Sequence, residues 1–451
     1  MKQLKRILTI IIFTGILFIP VIMHAQDTTI VKQLSLHEAI DLSIKNSKQL
    51  RASQARIEEA EGVLREAKDN KLPAASVSGT YMRLAKPDIS IKTNALKFGG
   101  PDTSGGGGSA PSINQAMFGS LNVSMPIFAG GKIRYGIESA QYLSQAIKLD
   151  ADNDKEAVIV NTMNAYINLY KASVTLNVVK ANLEQSMQRD SVLSRLEQNG
   201  LLARNDLLKA KLQTSNIELS VLDAENNVKI ATVNMNLMLG LPEHTKLITD
   251  SSGFDEQMDI KTLNDYEQLA LQNRKDIQAL SFRHKAATAG IAAAKGDLYP
   301  SLALTGGYIA ADVPHFISIT NAATLGVGIK YNIASLWKTK SKIIQAQARE
   351  KEIEANEALL DDGVRLSINQ HYENYLLSNK KIAVYEQAVA QATENYRITK
   401  NKYDNNLVNT TDLLDANVSL LQAQINLAVA KADVLLAYEQ LLQSAGLITT
   451  N

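Results

Sequence analysis

The chain has no cysteine, little proline and almost no net charge, and each shortage excludes a class of protein. Without cysteine, its 451 residues can form no disulfide framework and no thiolate metal site. The formal net charge of +1 gives no electrostatic reason to expect a nucleic-acid partner. The six histidines are scattered, and the sequence shows no nucleophile, metal-ligand or phosphate-binding motif. We therefore expect no catalytic residue, no metal and no cofactor, and an exported enzyme is a disfavoured alternative.

Proline is missing from two very long stretches of the chain. None of the nine prolines lies between Pro126 and Pro242, and none follows Pro314. Because proline ends or kinks a helix, the pattern predicts long helices from about Lys132 to Gln198 and from about Lys338 to Tyr403. Each helix would be roughly 100 Å long at about 1.5 Å per residue. Apolar residues near the C-terminus recur in two adjacent rows, which is typical of a helix packed on both sides.

The first residues have the pattern of an export signal. Lys2, Lys5 and Arg6 precede an apolar stretch from Ile7 to Ile22. This pattern predicts a cleaved signal peptide over residues 1–25, with an uncleaved membrane anchor as the alternative. We expect no later segment to be apolar over the length of a membrane-spanning helix. Entry into a membrane would then require a β-barrel, because only helices and closed barrels satisfy their backbone groups in lipid.

The two halves of the chain repeat each other. One group of residues recurs at a constant offset: Asn46, Lys48, Ala52, Ala60, Ala67, Pro73, Gly79 and Tyr81 match Asn273, Lys275, Ala279, Ala287, Ala294, Pro300, Gly306 and Tyr308. A second group recurs at a smaller offset: Ala140, Asp206, Leu207, Ala210 and Gly240 match Ala346, Asp412, Leu413, Ala416 and Gly446. The pattern indicates a tandem duplication. It predicts a first repeat over 26–241, a linker over 242–262 in an equatorial region, and a second repeat over 263–451.

Each repeat is predicted to contain a helix, two strands joined by a loop, and a long helical hairpin. In the first repeat these are a helix over Ser35–Asn70, a strand over Ala75–Arg83, a loop over Pro87–Gln115 and a strand through Leu121–Ile127. In the second they are a helix over Leu263–Gly296, a strand over Ser301–Ala310, a loop over Ala311–Asn321 and a strand through Leu325–Ile333, with Trp337 at its exit. Four strands of alternating apolar and polar residues cannot close a barrel. Three chains would supply about twelve, which is within the range of membrane barrels.

Four motifs in this order resemble the TolC-type outer membrane efflux proteins. They are Leu72-Pro73 with Gly79-Thr80-Tyr81, Pro126-Ile127-Phe128-Ala129-Gly130-Gly131, Asn199-Gly200-Leu201 and Asp412-Leu413-Leu414-Asp415-Ala416. The resemblance implies a mostly α-helical homotrimer whose twelve-stranded β-barrel lies in the cell outer membrane and continues into an α-helical periplasmic tunnel. It implies an exit duct for efflux or type I secretion, which receives substrates from an inner-membrane transporter through a periplasmic adaptor. An exported coiled-coil scaffold or adhesin without a channel is the alternative.

The resemblance also implies a periplasmic gate at the ends of the helical hairpins. Asp412 and Asp415 match aspartates that line the tunnel constriction, and three chains would then present six carboxylates. Helix capping is the alternative for these two residues, because acids near a helix N-terminus offset the macrodipole. Tyr403 and Asp206 match a tyrosine–aspartate link that holds such a tunnel closed, and capping is again the alternative for Asp206. Val408 stands where a well-known relative has an arginine that reinforces the link.

The two hairpin tips are the expected contact sites for the adaptor. They comprise Gly200, Leu201 and Leu202 in the first repeat, and Asn406 and Leu407 in the second. Glycine and asparagine tolerate the left-handed backbone that ends a helix, so a plain turn is the alternative interpretation. Exposed leucines at a tip favour a partner.

Overall fold

Long helices and a four-stranded sheet make up the computed structural model, which describes residues 31–85, 114–250, 258–314, 317–405 and 407–448. In chain order the elements are β1 (Val31–Leu34), α1 (Leu36–Asn46), α2 (Lys48–Asp69), β2 (Ala74–Arg83), β3 (Gln115–Ala129), α3 (Lys132–Gln198), α4 (Arg204–Leu239), β4 (Lys246–Thr249), α5 (Leu263–Asn273), α6 (Lys275–Lys295), β5 (Ser301–Val313), β6 (Ile317–Lys330), α7 (Ser335–Asp404) and α8 (Thr410–Ser444). The predicted signal peptide and most of the predicted loop over Pro87–Gln115 lie outside the described residues.

The larger sheet is antiparallel, with the strand order β2-β3-β5-β6. Its two hairpins, β2–β3 and β5–β6, pair residues that are equivalent in the sequence repeat. Tyr81 lies opposite Met117 in the first hairpin, and the equivalent Tyr308 lies opposite Ala323 in the second. The pairing of β3 with β5, in which Leu121 lies opposite Tyr308, joins the two repeats. Within the described residues, β2 and β6 are left as the two edges of this sheet.

The two faces of this sheet differ in polarity. Side chains directly opposite each other share a face, so the register sorts them into two sets. One face is apolar and carries Val77, Tyr81, Leu121, Val123, Met125, Leu304, Tyr308, Leu325 and Val327, all of them exposed in the single chain. The other face carries mostly small polar residues, with Met82, Phe118 and Ile309 among its large apolar exceptions, and Ser78 and Ser120 share a hydrogen bond of 2.8 Å across it. An exposed apolar face opposite an exposed polar face fits a sheet between lipid and water.

The helices form two long hairpins, α3–α4 and α7–α8, that lie side by side. Helix α3 contacts α8 of the other hairpin and also packs against α6. The predicted bounds of α3 are confirmed residue for residue, and α7 extends a few residues beyond the predicted Lys338–Tyr403. The architecture is therefore the predicted one, long paired helices attached to a strand-pair sheet.

The predicted single helix at the start of each repeat is wrong, because both are broken. The breaks lie at Ser47 and at its repeat equivalent Arg274, whose ψ angles of 121° and 126° are extended rather than helical. Each break packs against a glycine that ends the following hairpin. Gly240 lies against Asn46 in the first repeat, and Gly446 lies against Arg274 in the second. Both glycines have positive φ angles, of 69° and 67°. The break is therefore a feature of the duplicated unit.

A small parallel sheet of β1 and β4 lies beside the middle of the hairpins, and neither strand was predicted. Strand β4 falls within the linker over 242–262 and pairs Leu247 with Lys32. The hydroxyl oxygen of the buried Tyr166 on α3 lies 2.9 Å from the carbonyl oxygen of Leu34 and 2.8 Å from that of Asp250, and the two carbonyls share its single proton. Burial raises the pKa of Tyr166 to about 12. Leu34 and Leu247 pack into one core cluster with α3 and α4.

The second strand pair differs from its prediction at both ends. The predicted loop over Ala311–Asn321 is wrong, because β5 continues to Val313 and β6 begins at Ile317. Strand β6 ends at Lys330, so Tyr331 and Ile333 lie beyond it, and Trp337 lies in α7 rather than at a strand exit. The connection is shorter and the strands longer than their polar residues indicated.

One helix in the described part of the chain, α8, is long and apolar enough to cross a membrane by length and composition alone. Its most apolar window has a mean hydropathy of 1.3. The expectation that no segment after the signal region would reach this level was therefore wrong. Buried core helices meet the same criterion, and α8 packs along α7 and α3.

Candidate functional site

The far ends of the two hairpins form two tips with the same backbone turn. In the first, the amide of Leu201 donates to the carbonyl of Leu196 at 2.8 Å, and Gly200 has a φ angle of 72°. In the second, the amide of Leu407 donates to the carbonyl of Lys402 at 2.9 Å. Such six-residue closures satisfy carbonyls that a helix end would leave free. Both turns therefore lie where the sequence predicted the hairpin tips.

A side-chain link spans each tip at positions that the repeat makes equivalent. In the first tip Glu197 and Arg204 form an ion pair of 3.3 Å. In the second tip the hydroxyl of Thr410 donates to that of Tyr403 at 3.4 Å. The same position thus holds a charged link in one repeat and a neutral link in the other.

Asp412 caps helix α8. Its carboxylate accepts from the amide of Asn409 at 3.2 Å, and its own amide donates to the side-chain oxygen of Asn409 at 3.0 Å. This reciprocal pair is a capping box, which satisfies two amides at the helix start. The first repeat has Ala203 in place of Asn409 and has no side-chain cap there. The spacing of Asn409 and Asp412 is the signal from which the box could have been read.

Asp415 lies one turn further along α8 and is exposed. Its repeat equivalent in the first tip is Lys209, whose ammonium lies 3.8 Å from the carboxylate of Asp206. The first tip therefore pairs its acid with a base, whereas the second carries two acids. The structure places Asp412 and Asp415 together at the start of one helix, as their spacing predicted.

Tyr403 packs against the first hairpin of the same chain. Its ring contacts a buried cluster that includes Leu193 and Leu207, and Leu207 is the neighbour of Asp206. Among the described contacts of the single chain, the Tyr403 hydroxyl accepts a hydrogen bond from Thr410, and the Asp206 carboxylate forms an ion pair with Lys209. The structure thus brings the two hairpins together at Tyr403, and a link from Tyr403 to Asp206 stays a prediction.

The leucines at the tips are not equally exposed. Leu201 and Leu407 are 74% and 73% exposed, as an adaptor-contacting residue should be. Leu202, which was expected to be exposed, is half-buried and packs against the cluster around Leu193. Val408 is also half-buried, and Asn406 lies outside the described residues.

One charged residue near the tips was missed by sequence reasoning. Arg189 of α3 is largely buried beside Tyr396 and Tyr403 of α7, and it lines a cavity of about 460 Å³. Burial lowers the pKa of its guanidinium, against the opposing influence of Asp190. The sequence offers no signal for this position, because the burial depends on three helices meeting. Within the described residues, no group of histidines and acids could hold a metal ion.

Comparison with known proteins gives a family for the whole arrangement. The family model described as outer membrane efflux protein matches residues 39–241 and 267–447. The outer membrane efflux protein BepC of Brucella suis is 23% identical over 86% of this chain and 86% of its own length. The outer membrane protein TolC of Vibrio cholerae is 26% identical over 65% of this chain and 69% of its own. The alkaline protease secretion protein AprF of Pseudomonas aeruginosa is 22% identical over 73% and 69%.

A solved structure supports the fold. The outer membrane protein VceC of Vibrio cholerae superposes with a TM-score of 0.73 at 19% identity, over 91% of this chain and 96% of that one. At this identity the likeness speaks for the fold alone.

Proposed function

The chain belongs to the outer membrane efflux protein family, and on that premise we propose that it is a passive exit duct, assembled from three copies and gated at its periplasmic end. Proteins of this family are channels of the outer membrane that extend into the periplasm. In our proposal the duct receives its substrates from an inner-membrane transporter through a periplasmic adaptor and catalyses no reaction. The repeats over 26–241 and 263–451, joined by the linker over 242–262, form its wall.

The single observation that carries this proposal is the four-stranded sheet. Its apolar face is exposed, its polar face is exposed, and it ends in two edges. An edge cannot face lipid, so the sheet needs further strands on both sides. Because β3 and β6 are repeat equivalents, as are β2 and β5, the contact of β3 with β5 supports pairing of β6 with β2 of the next copy. Repetition of that pairing closes a ring, and a soluble scaffold or adhesin gives no reason for the apolar face.

The unequal burial of equivalent helices in the two repeats also favours an assembly of several copies. Helix α3 buries sixteen residues within the chain, whereas its repeat equivalent α7 buries five. On α4, the exposed Leu208, Leu219 and Ile230 match Leu414, Ile425 and Leu436 of α8, which are buried or half-buried. Helix α8 contacts α3 within the chain, so α4 is expected to contact α7 of the next copy in the same way. A second copy of the chain therefore suits these exposed faces.

The proposed gate comprises Asp412, Asp415, Tyr403 and Asp206. Both acids of α8 lie at the end of a long hairpin, and a threefold axis would bring three such ends together. A ring of carboxylates attracts cations and tends to hold multivalent ones in a narrow bore. Because the second tip carries two acids and the first pairs its acid with Lys209, the ring charge comes mainly from the second repeat.

The test is block of channel current by a multivalent cation. In planar bilayers, a divalent or trivalent cation added from the periplasmic side should block the wild-type channel. The double variant Asp412→Asn and Asp415→Asn should need at least about tenfold more cation for the same block. Asparagine is preferred to alanine because its side-chain oxygen can still accept from the amide of Asn409 and so preserve the cap.

Asp223→Asn is the matched control, because Asp223 is an exposed acid of α4 far from the tips. Its block should equal that of the wild type. Equal block in the double variant would reduce Asp412 and Asp415 to capping residues. A chain that forms no conducting pore would remove the duct itself from consideration.

A further inference from the structure

The polar face of the four-stranded sheet becomes apolar at the end that lies away from the helices. Side chains directly opposite each other across the strands form rows on one face. In the rows nearer the helices, Ser124 lies opposite Thr305 and Asn122 lies opposite Gly307. In the outermost rows, six large apolar side chains are between 38% and 46% exposed, and we call them the end cluster: Met82, Leu84, Phe118, Ile309, Ile317 and Ile319.

The strand register makes the residues of the end cluster neighbours. Phe118 lies opposite Ala311, which in turn lies opposite Ile319. One row further out, Met82 lies opposite Ala116. The two alanines are buried, so neighbouring side chains cover them. The end cluster is therefore one apolar patch that runs across all four strands, on a face where a membrane barrel is expected to be polar.

Contact with lipid does not explain the end cluster. Apart from Met117, the opposite face carries polar side chains at the same level. Asp312 lies opposite Ser318, and both are exposed. The hydroxyl of Tyr81 donates to the side-chain oxygen of Gln115 at 3.3 Å. Because a carboxylate facing lipid is costly, this end of the sheet has water on both faces in the proposed duct.

Contact between copies does not cover the end cluster either. Strands of neighbouring copies would pair edge to edge, which leaves both faces of the sheet free. A ring of about twelve strands is wider than the eight-stranded barrels whose side chains fill the bore, so clusters of different copies would not meet across it. In the proposed duct, the end cluster therefore faces the bore near its outer mouth.

The end cluster has no charge in its rows. None of the described residues that share its face in these rows is charged, and the nearest charged side chains, those of Arg83 and Asp312, lie on the opposite face. A molecule at the cluster would therefore be held by apolar contact alone, whatever its own charge. The gate acids at the other end of the chain act on charge, so the two ends would select by different properties.

We propose that the end cluster binds the alkyl or aromatic part of a small amphiphile in the bore, while the polar group of that molecule stays in water. This rests on the proposed function only in that the polar face of the sheet is the water-facing wall of the duct. Because the cluster buries one side of the ligand, binding is weak, with a dissociation constant of about 1–10 mM for a six-carbon chain. Weak binding also lets an exported molecule leave.

The test is protection of an introduced cysteine from a water-soluble thiol reagent, with the full-length protein in lipid nanodiscs. The chain has no cysteine, and Thr80 is exposed and lies opposite Phe118, so Thr80→Cys gives one reactive site beside the cluster. Hexyl glucoside at about 20 mM should slow labelling at least about threefold. Methyl glucoside, which has the same polar group without the chain, should leave the rate unchanged.

Substitutions in the cluster should remove this protection. In the Thr80→Cys background, Phe118→Ser with Ile309→Thr replaces two exposed cluster residues by the kind of residue that the inner rows carry. Hexyl glucoside should then have no effect on labelling. Met117→Ser is the matched control, because Met117 is the exposed neighbour of Phe118 on the opposite face. Its protection should equal that of the parent.

Ser76→Cys separates this proposal from that of the duct. Ser76 is exposed on the same face, two rows nearer the helices than Thr80, and should be labelled equally fast with and without hexyl glucoside. Failure of the reagent to reach Ser76→Cys would contradict the duct and with it this proposal. Labelling at Ser76→Cys but not at Thr80→Cys would show that the chain or another copy already covers the cluster, and would overturn the proposal alone. Equal labelling of Thr80→Cys in hexyl and methyl glucoside would do the same.

Discussion

Gly130 lies at the junction between the sheet and the helices, where it leaves too little room for a Cβ atom. It directly follows β3, and its φ angle of 62° lies in the left-handed region that favours glycine. A Cβ at this position would lie 2.3 Å from the carbonyl oxygen of Gly296 and 3.0 Å from the Cβ of Tyr299. Both neighbours belong to the second repeat, so the glycine sets how closely the two repeats approach below the sheet.

We expect Gly130→Ala to destabilise the folded protein by about 2–4 kcal/mol, through backbone strain and overpacking. Chemical unfolding in detergent, followed by circular dichroism, measures the change. Gly136→Ala is the control, because Gly136 lies inside α3 with nothing within 4 Å of an added Cβ. The control should stabilise the helix by about 0.5–1 kcal/mol. Equal stabilities for both variants would contradict the role of Gly130.

Asp297 lies in the short turn after α6 and links it to α3 and α7 at the same junction. Its carboxylate accepts from the ammonium of Lys132 at 2.8 Å and from that of Lys342 at 2.7 Å. These two lysines hold the pKa of Asp297 below its ordinary value of 3.8. Because the folded pKa lies below the unfolded one, the stabilisation is fully present above pH 3.8 and is lost as pH falls through the folded value.

Asp297→Asn should therefore cost about 1–2 kcal/mol of stability at about pH 7, because solvent screens the charges of the two exposed lysines. The difference between variant and wild type should be smaller at about pH 3, because below 3.8 the unfolded chain binds a proton at Asp297 that the folded chain, with its lowered pKa, binds only at a lower pH. Unfolding curves at both pH values give the comparison. Asp69→Asn, at the exposed end of α2, should change little at either pH. A difference that does not depend on pH would disprove the ionic origin.

Among the residues of the candidate site, the sequence located those whose chemistry is local. Asp412 and Asp415 share a helix face because they are three residues apart, and Gly200 ends a helix because it tolerates a positive φ angle. Arg189 could not be found in this way. Its burial depends on where α7 and α8 cross α3, which no residue near Arg189 encodes.

At the scale of the elements, the exposed apolar row of α4 gives the sharpest expectation. The repeat aligns Leu219 with Ile425, which packs against Val179 and Ile217. Leu219→Glu would place a charge in the proposed contact between copies, and burial of an unpaired charge is costly. We expect at least about a tenfold loss of trimer, measured by light scattering after size-exclusion chromatography in detergent.

Ser220→Glu is the matched control for this substitution, because Ser220 is the exposed neighbour of Leu219 on the same helix. Its trimer content should remain that of the wild type. A trimer that tolerates glutamate at both positions would show that α4 faces solvent in the assembly.

The elements divide into those that local signals specify and those that distant contacts specify. Helix α3 was predicted to the residue because Gly130-Gly131 precedes it and Asn199-Gly200 follows it. The break at Ser47 has no glycine or proline to mark it. It is held instead by contacts from far along the chain, including a bond of 2.7 Å from Asn46 to the carbonyl of Leu239. Strands β1 and β4 escaped prediction for the same reason, since each is four residues long and they pair across more than 200 residues, from the start of the first repeat to the linker.

At the scale of the whole molecule, the repeat specifies how one copy should meet the next. Leu121 lies opposite Tyr308 within the chain, and the repeat equivalents of these residues are Val327 and Tyr81. Val327 of one copy should therefore lie opposite Tyr81 of the next. Directly opposed antiparallel residues have Cα atoms about 4.5–5.5 Å apart, which a disulfide can span.

The double variant Val327→Cys and Tyr81→Cys should form covalent dimers and trimers on mild oxidation, visible on a non-reducing gel. The chain has no cysteine of its own, so every crosslink reports this pair. Val327→Cys with Met82→Cys is the control, because a shift of one residue turns the side chain to the other face. Crosslinking of the control in preference to the first pair would disprove this register.

The register that the two hairpins share, up to Met82 and its equivalent Ile309, has a consequence for the ancestry of the chain. In the proposed ring each repeat would pair with the next along the same strand edge, so six copies of a single unduplicated unit would supply the same strands as three copies of this chain. Fusion of two such genes would keep the ring and free one subunit in each pair to diverge. The divergence is visible in the tips, where Ala203 and Lys209 of the first repeat occupy the positions of Asn409 and Asp415 in the second. On this account, two different kinds of unit in the proposed wall need no new fold, only a second copy of the gene in tandem.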